Sequence, residues 1–341
     1  MHHRSNAVRF AGAAVTLFLL SACSDRTSSP VAPSPDQSAS FSSAVTQREV
    51  LSNAVIHRTI PGQAEARSQG AGHGRPGGGS NNLTYHGGVG GIGVETAPKV
   101  YVVFWGSQWS DDPSGEATIV QNFLRGVGGS SWLNSVTQYC QTVASGTVYC
   151  NGQGQSAGNP SGILVGVWFD NSALAPSRPS QSQLGAEAVA AANHFGNTSA
   201  SSNASAQYVI ATAHNNNSSG FGSQYCAYHS YASSGSVNIA YTNLPYITDA
   251  GASCGANFNG LGPNAGITIV EGHELAETIT DQFPNGGWLD GTGAENGDKC
   301  AWISSGQGAS ANTSLSTGTF PVQSLWSNAF NSGSGGCVLS F

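Results

Sequence analysis

Lys99-Val100-Tyr101-Val102-Val103-Phe104-Trp105-Gly106 is a nearly continuous apolar run of strand length, closed by a glycine. A run of this kind reads as a buried β-strand. Gly162–Asp170 (GILVGVWFD) and Gln207–His214 (QYVIATAH) read the same way, and Val237–Tyr241 supplies a fourth strand. Helical stretches lie between them. Asp112-Pro113-Ser114 with Glu116 in the next turn starts a helix reaching about Arg125. Ser131–Tyr139 predicts a short second helix, and the Ala-rich Gln181–Phe195 a third. Asn264 is placed to cap a helix that ends near Thr280, before Pro284 and Asn285-Gly286-Gly287. The β-branched run Ile267-Thr268-Ile269-Val270 leaves the start of that helix open, because it also suits a strand end. Strands alternating with helices predict an α/β fold: a mixed, largely parallel sheet covered by helices. The last sixty or so residues are Gly/Ser-rich and read as a loop region clipped by a disulfide.

The N-terminal part has a different character. Arg4 and Arg9 precede a short apolar run, Phe10–Leu20, that ends in Leu20-Ser21-Ala22-Cys23. This pattern predicts a lipoprotein signal peptide over 1–22, with Cys23 as the lipidated residue of the mature chain. Ordinary signal cleavage is the alternative, and both readings export the protein. The expected location is the bacterial cell envelope, lipid-anchored at the outer membrane or cell surface, or released from it. Residues 23–94 are rich in Ser, Pro and Gly and poor in aromatics, and they include Gly77-Gly78-Gly79-Ser80. Such a segment reads as a disordered tether. Residues 95–341 then form a single globular domain, long enough for a sizeable core.

Charge narrows the partners. From Glu95 onward the chain has four basic residues (Lys99, Arg125, Arg178, Lys299) against fourteen acidic ones. That balance argues against nucleic acid, and leaves the lipid anchor as the only membrane contact. Seven cysteines are present, six of them after Cys23. An even number in an exported chain reads as three disulfides. Of the fifteen formal pairings, Cys140–Cys150, Cys226–Cys254 and Cys300–Cys337 are favoured, because each closes a local loop.

The chemistry concentrates near the C-terminus. Glu271-Gly272-His273-Glu274-Leu275-Ala276-Glu277 places His273 and Glu277 four residues apart, on one face if the stretch is helical. The spacing is that of the zinc-protease helix, with Glu277 replacing the second histidine and Glu274 where a general base sits. Asp281 lies one turn further on. Asp290, Glu295 and Asp298 follow in a Gly-rich loop, so that seven of the fourteen acids fall within 271–298. Crowded carboxylates need a cation, a proton or water to be tolerated. The expected ligands are therefore His273, Glu277, Asp281, Glu295 and Asp298, around a divalent metal. Zinc is expected, with calcium as the alternative if oxygen ligands dominate. The Asp290–Asp298 loop could itself wrap calcium. His229, in Tyr225-Cys226-Ala227-Tyr228-His229-Ser230, is a candidate ligand or substrate-orienting group, and His214 is a more distant one.

Several stretches together resemble the phosphate-induced/exordium-like family, in a bacterial form that carries the H-E-x-x-E motif. They are Tyr85-His86-Gly87-Gly88, Val100–Gly106, Cys226-x-x-His229, Glu277-Thr278-Ile279-Thr280-Asp281, and Asn285-Gly286-Gly287-Trp288 with Glu295 before Cys300. The resemblance implies an exported, disulfide-bonded domain of the cell-wall space and carries no catalytic residue with it. Two functions are therefore expected. One is an exported metallohydrolase, a peptidase by motif, in which Glu274 takes a proton from water activated by the metal and the substrate is an extracellular peptide or protein. The other is a non-catalytic extracellular domain that binds a glycan or a protein, its acidic cluster being structural or calcium-binding.

Overall fold

The computed structural model describes residues 81–341. The signal peptide, Cys23 and residues 23–80 of the predicted tether lie outside the described residues. The last part of that tether is not a tether. Leu83, Tyr85 and Val94 are buried in the main core, and Thr84–Tyr85 pairs antiparallel with Trp288–Leu289. The domain therefore begins before residue 95. A handful of buried aromatic and aliphatic side chains outweighs the Gly-rich composition there.

The central sheet has five strands: β1 (Lys99–Trp105), β2 (Leu164–Asp170), β3 (Ala206–Thr212), β4 (Tyr228–Ser234) and β5 (Val237–Leu244), in the order β2-β1-β3-β5-β4. All neighbouring pairs are parallel except the β4–β5 hairpin. Alternation along the strands divides the core in two. Val100, Val102, Phe104, Val209 and Ala211 face one side; Val103, Tyr208 and Ile210 face the other. Helix α1 (Glu116–Val127) and helix α3 (Ala265–Thr280) belong to the first side, and α2 (Gln181–His194) to the second. A capping box between Ser180 and Gln183 starts α2. The expected α/β class is the observed one, with two adjustments. β2 is an edge strand rather than a buried one, with Val165 and Phe169 largely exposed. The C-terminal region is not all loop, since Ala311–Leu315 pairs with Gly318–Val322 and Leu325–Ser327 with Gly336–Val338.

The three local disulfides, Cys140–Cys150, Cys226–Cys254 and Cys300–Cys337, are all formed. Among the described residues no helix is long and apolar enough to cross a membrane.

Helix α3 sits at the centre of the first layer, and all sixteen of its residues are buried. It packs against α1, the strands β4 and β5, the short helix Leu133–Gln138 and the strand Gly318–Val322. The ambiguous Ile267–Val270 run is helical, because this packing outweighs a weak β preference. Fully burying Ile267, Ile269, Leu275 and Ile279 contributes about 1.5–3 kcal/mol apiece. Asn264 stands at the N-cap, but its side chain reaches Ser114 O instead of capping. Gly266 lets the first turn press against the backbone of Cys254, where any Cβ would overlap the carbonyl oxygen. A helix buried on every side puts its four ionisable residues, Glu271, His273, Glu274 and Glu277, inside the protein.

Candidate metal centre

His273 and Glu277 lie one turn apart on α3, and their side chains meet: His273 Nε2 is 2.7 Å from Glu277 Oε1. The loop after Trp288–Leu289 returns across this pair. Asp298 brings Oδ1 to 4.0 Å from His273 Nε2, and its backbone N–H donates to Glu277 Oε1 at 2.9 Å. Gly297 makes that approach possible, since a Cβ there would stand 2.8 Å from His273 Nδ1 and 2.9 Å from Glu277 Oε1. Ligand atoms of His273, Glu277 and Asp298 all fall within 4.8 Å of one another.

The tautomer of His273 follows from its other neighbour. Gln323 Nε2 donates to the carbonyls of Gly297 and Ser324, at 2.8 and 3.2 Å. The amide nitrogen is thus committed, and Gln323 Oε1 can only accept. It lies 3.0 Å from His273 Nδ1, so Nδ1 carries the proton. In the neutral ring the Nε2 lone pair then points at Glu277 and Asp298. A lone pair aimed at carboxylates is repulsive unless a proton or a cation lies between them. A buried imidazole with its far nitrogen tied to a fixed acceptor is the arrangement that orients metal-ligating histidines.

A second imidazole approaches from the sheet. His229 stands opposite Thr242 in the β4–β5 hairpin, one residue after Tyr228, and so faces α3 rather than α2. It is 1% exposed. Its Nδ1 is 3.4 Å from Glu274 Oε2 and 3.6 Å from Glu277 Oε2, and its Nε2 is 3.6 Å from Glu295 Oε1. His229, Glu274 and Glu277 form a second group of convergent ligand atoms.

Burial dominates the electrostatics. It pushes the carboxyls of Glu277 and Glu295 well above the usual range, and the neighbouring carboxylates push in the same direction. Glu271 is raised well above that range by burial and by Glu274, and neither of its oxygens has a hydrogen-bond partner among the described residues. Glu274 is raised by burial, partly opposed by His273. His229 is driven down to about 4, first by desolvation, so its ring is neutral at pH 7. Lys299, the one basic residue adjoining the cluster in sequence, turns away to Asp290, 2.8 Å from its Oδ2, and lies over the Trp326 ring. The cluster thus has imidazole and carboxylate donors in abundance and little local positive charge. That donor set fits a divalent transition ion such as Zn²⁺ or Mn²⁺ better than Ca²⁺, which prefers oxygen alone.

The expected site residues divide into three sets. His273, Glu277 and Asp298 converge, as do His229, Glu274 and Glu277. Glu295 faces His229 and belongs to neither convergent group. Asp281 does not join as a ligand. Its carboxylate accepts from the backbone N–H groups of Asn285, Gly286 and Gly287, and so holds the turn that ends α3. The loop wrap for calcium also fails. Asp290 spends one oxygen on Thr292 and Ala294 and the other on Lys299, which holds its carboxyl below the ordinary range. His214 is held elsewhere by Asp249. Gln323 and Gly297 carry no sequence signal; both matter through contacts far along the chain. A small pocket at the cluster is lined by Cys226, Val270, His273, Glu274, Trp302 and Gln323. Trp302, which lines it, has φ +56°, a conformation that bulky residues rarely adopt.

The chain matches no protein-family model, no curated protein and no solved structure.

Proposed function

We propose that this domain is an exported metal-dependent hydrolase, with a divalent ion, zinc by its donor set, held by His273, Glu277 and Asp298. The observation that carries this reading is the Gln323–His273 hydrogen bond, which leaves the Nε2 lone pair facing two carboxylates. A divalent ion at such a position polarises a carbonyl and lowers the pKa of water. The chain's own residues supply the rest. Gln323 fixes the imidazole, Gly297 lets Asp298 reach the site, and the surrounding core excludes water. Glu274 lines the pocket beside His273, and burial pushes its carboxyl up to about 7. Its place in the motif, next to His273, is that of the group that would take a proton from water there. The zincin-like helix and the exported setting favour a peptide or protein substrate.

Closure of the site favours a second reading. His273 is 3% exposed, and Glu274 and Glu277 beside it are fully buried. Structural metal sites are closed in this way. On that reading the ion is structural and the domain binds a glycan or protein through its surface.

Glu274→Gln separates the two. The hydrolase reading predicts that this variant keeps the ion on His273 and its fold but loses turnover of a peptide library that the wild type cleaves. Equal behaviour of both proteins towards the library, in the presence of bound metal, supports the structural reading instead.

A further inference from the structure

Glu277 offers its two carboxylate oxygens to different imidazoles. Oε1 lies 2.7 Å from His273 Nε2, while Oε2 lies 3.6 Å from His229 Nδ1 and has no hydrogen-bond partner among the described residues. We propose that the cluster binds two divalent ions, with Glu277 bridging them. The first is the ion on His273 and Asp298, so this inference rests on the reading given above. The second is held by His229 Nδ1, Glu277 Oε2 and Glu274 Oε2.

Three observations carry the second position. The ligand atoms of His229, Glu274 and Glu277 lie within 4.8 Å of one another, independently of His273 and Asp298. Both His229 and the bridging oxygen of Glu277 are buried. The opposite edge of the His229 ring faces Glu295, at 3.6 Å from Nε2. That separation is longer than a hydrogen bond; the ring meets Glu274 Oε2 through Nδ1 at 3.4 Å, and an ion at the second position would replace the proton shared there. A bridging carboxylate holds two ions about 3.5–4 Å apart, the spacing of two-metal hydrolytic sites. The substrate class is that of the reading above: a peptide carbonyl that reaches the paired ions from the pocket lined by His273 and Glu274. Glu274 is then a ligand, and it acts as a base only when the second position is empty.

The test is a metal count on the full chain, purified without chelators and titrated with Mn²⁺ alone and, separately, with Zn²⁺ alone. The expected result is two ions per chain at saturation, with the Mn²⁺ form giving the exchange-coupled electron paramagnetic resonance spectrum of a carboxylate-bridged pair. His229→Gln is expected to hold one ion with an uncoupled six-line Mn²⁺ spectrum, and Glu274→Gln likewise drops the count from two to one. One ion in the wild type, unchanged in His229→Gln and lost in His273→Ala, overturns the second position and leaves the first intact. No bound ion overturns both. If His229→Gln does not fold, the wild-type count and spectrum decide alone.

Discussion

Glu116 and Glu277 are both buried carboxylates on helices of the same layer, and they are treated in opposite ways. Glu116 is surrounded by donors: Ile247 N–H at 3.0 Å, and the Thr248 N–H and hydroxyl at 2.8 Å each. Burial pushes its carboxyl up to about 7, and these hydrogen bonds pull against that rise. Glu95 has one side-chain donor, Gln207 Nε2, and is pushed up to about 8. Glu277 sits among Glu274, Asp281 and Asp298, keeps one oxygen unpartnered among the described residues, and is raised well above the ordinary range. Glu116 thus has donors on both oxygens, whereas Glu277 accepts from the Asp298 N–H on one oxygen and faces two imidazoles. Where donors are withheld and imidazoles are supplied instead, a cation is the natural countercharge.

The comparison can be broken most forcefully by removing the ion. At free metal near 1,000 times Kd, binding adds about 4 kcal/mol to stability, which for a domain of this size is on the order of 10 °C in Tm. Calorimetry before and after chelation should show a fall of that order, recovered on adding Zn²⁺. A thermogram indifferent to chelator places the cluster in the same category as Glu116.

Next in size is the loss of Glu116 itself. Glu116→Ala strands the buried Ile247 N–H and the half-buried Thr248 N–H, at about 1–3 kcal/mol each. Urea unfolding should show a loss of roughly 3 kcal/mol with metal content unchanged. A drop in bound metal would mean that the two regions are not independent.

Much of this architecture was legible in the chain. KVYVVFWG and QYVIATAH declared themselves as strands because their apolar residues are contiguous. β4 did not, because Tyr228–Ser234 has polar and small residues in place of aliphatic ones, and it gains its register only from β5. That omission also hid the orientation of His229. The pairing of His273 with Glu277 was readable because helical spacing alone puts them together. Which acids complete the cluster was not. Asp281 has the right helical phase, but its oxygens go to the turn at Asn285–Gly287, a choice made by loop geometry. Gln323 lies fifty residues from His273, and only the folded C-terminal ribbon brings it there.

Gln323 gives a smaller effect that sharpens the contrast. Replacing it with Met keeps the volume but removes the acceptor that fixes His273. Metal affinity should fall about 10–100-fold, as for other partners that orient metal ligands, and the metal-free protein should lose about 1–3 kcal/mol as well, because the buried Gly297 and Ser324 carbonyls lose their side-chain donor. Competition with a chromogenic chelator measures the first, and urea unfolding the second. An unaltered Kd contradicts the assigned tautomer.

Glu95 gives an effect that is spread across pH. Its folded pKa, about 8, lies above the unfolded value near 4.5, so the native state holds the extra proton between them. Its contribution is fully present below about pH 4.5 and is lost as pH rises towards 8, at up to about 1.4 kcal/mol per pH unit. Glu95→Gln should flatten that part of the stability profile, measured by unfolding at pH 5 and pH 8. An identical slope in the two proteins shows that Glu95 is ionised throughout and matched by its surroundings.

Anomalous scattering at the zinc edge, from crystals grown without chelator, reaches the central claim most directly. The account predicts a peak bounded by His273 Nε2, Glu277 Oε1 and Asp298 Oδ1. Flat anomalous density there, with His273 and Glu277 joined directly by a proton, contradicts it.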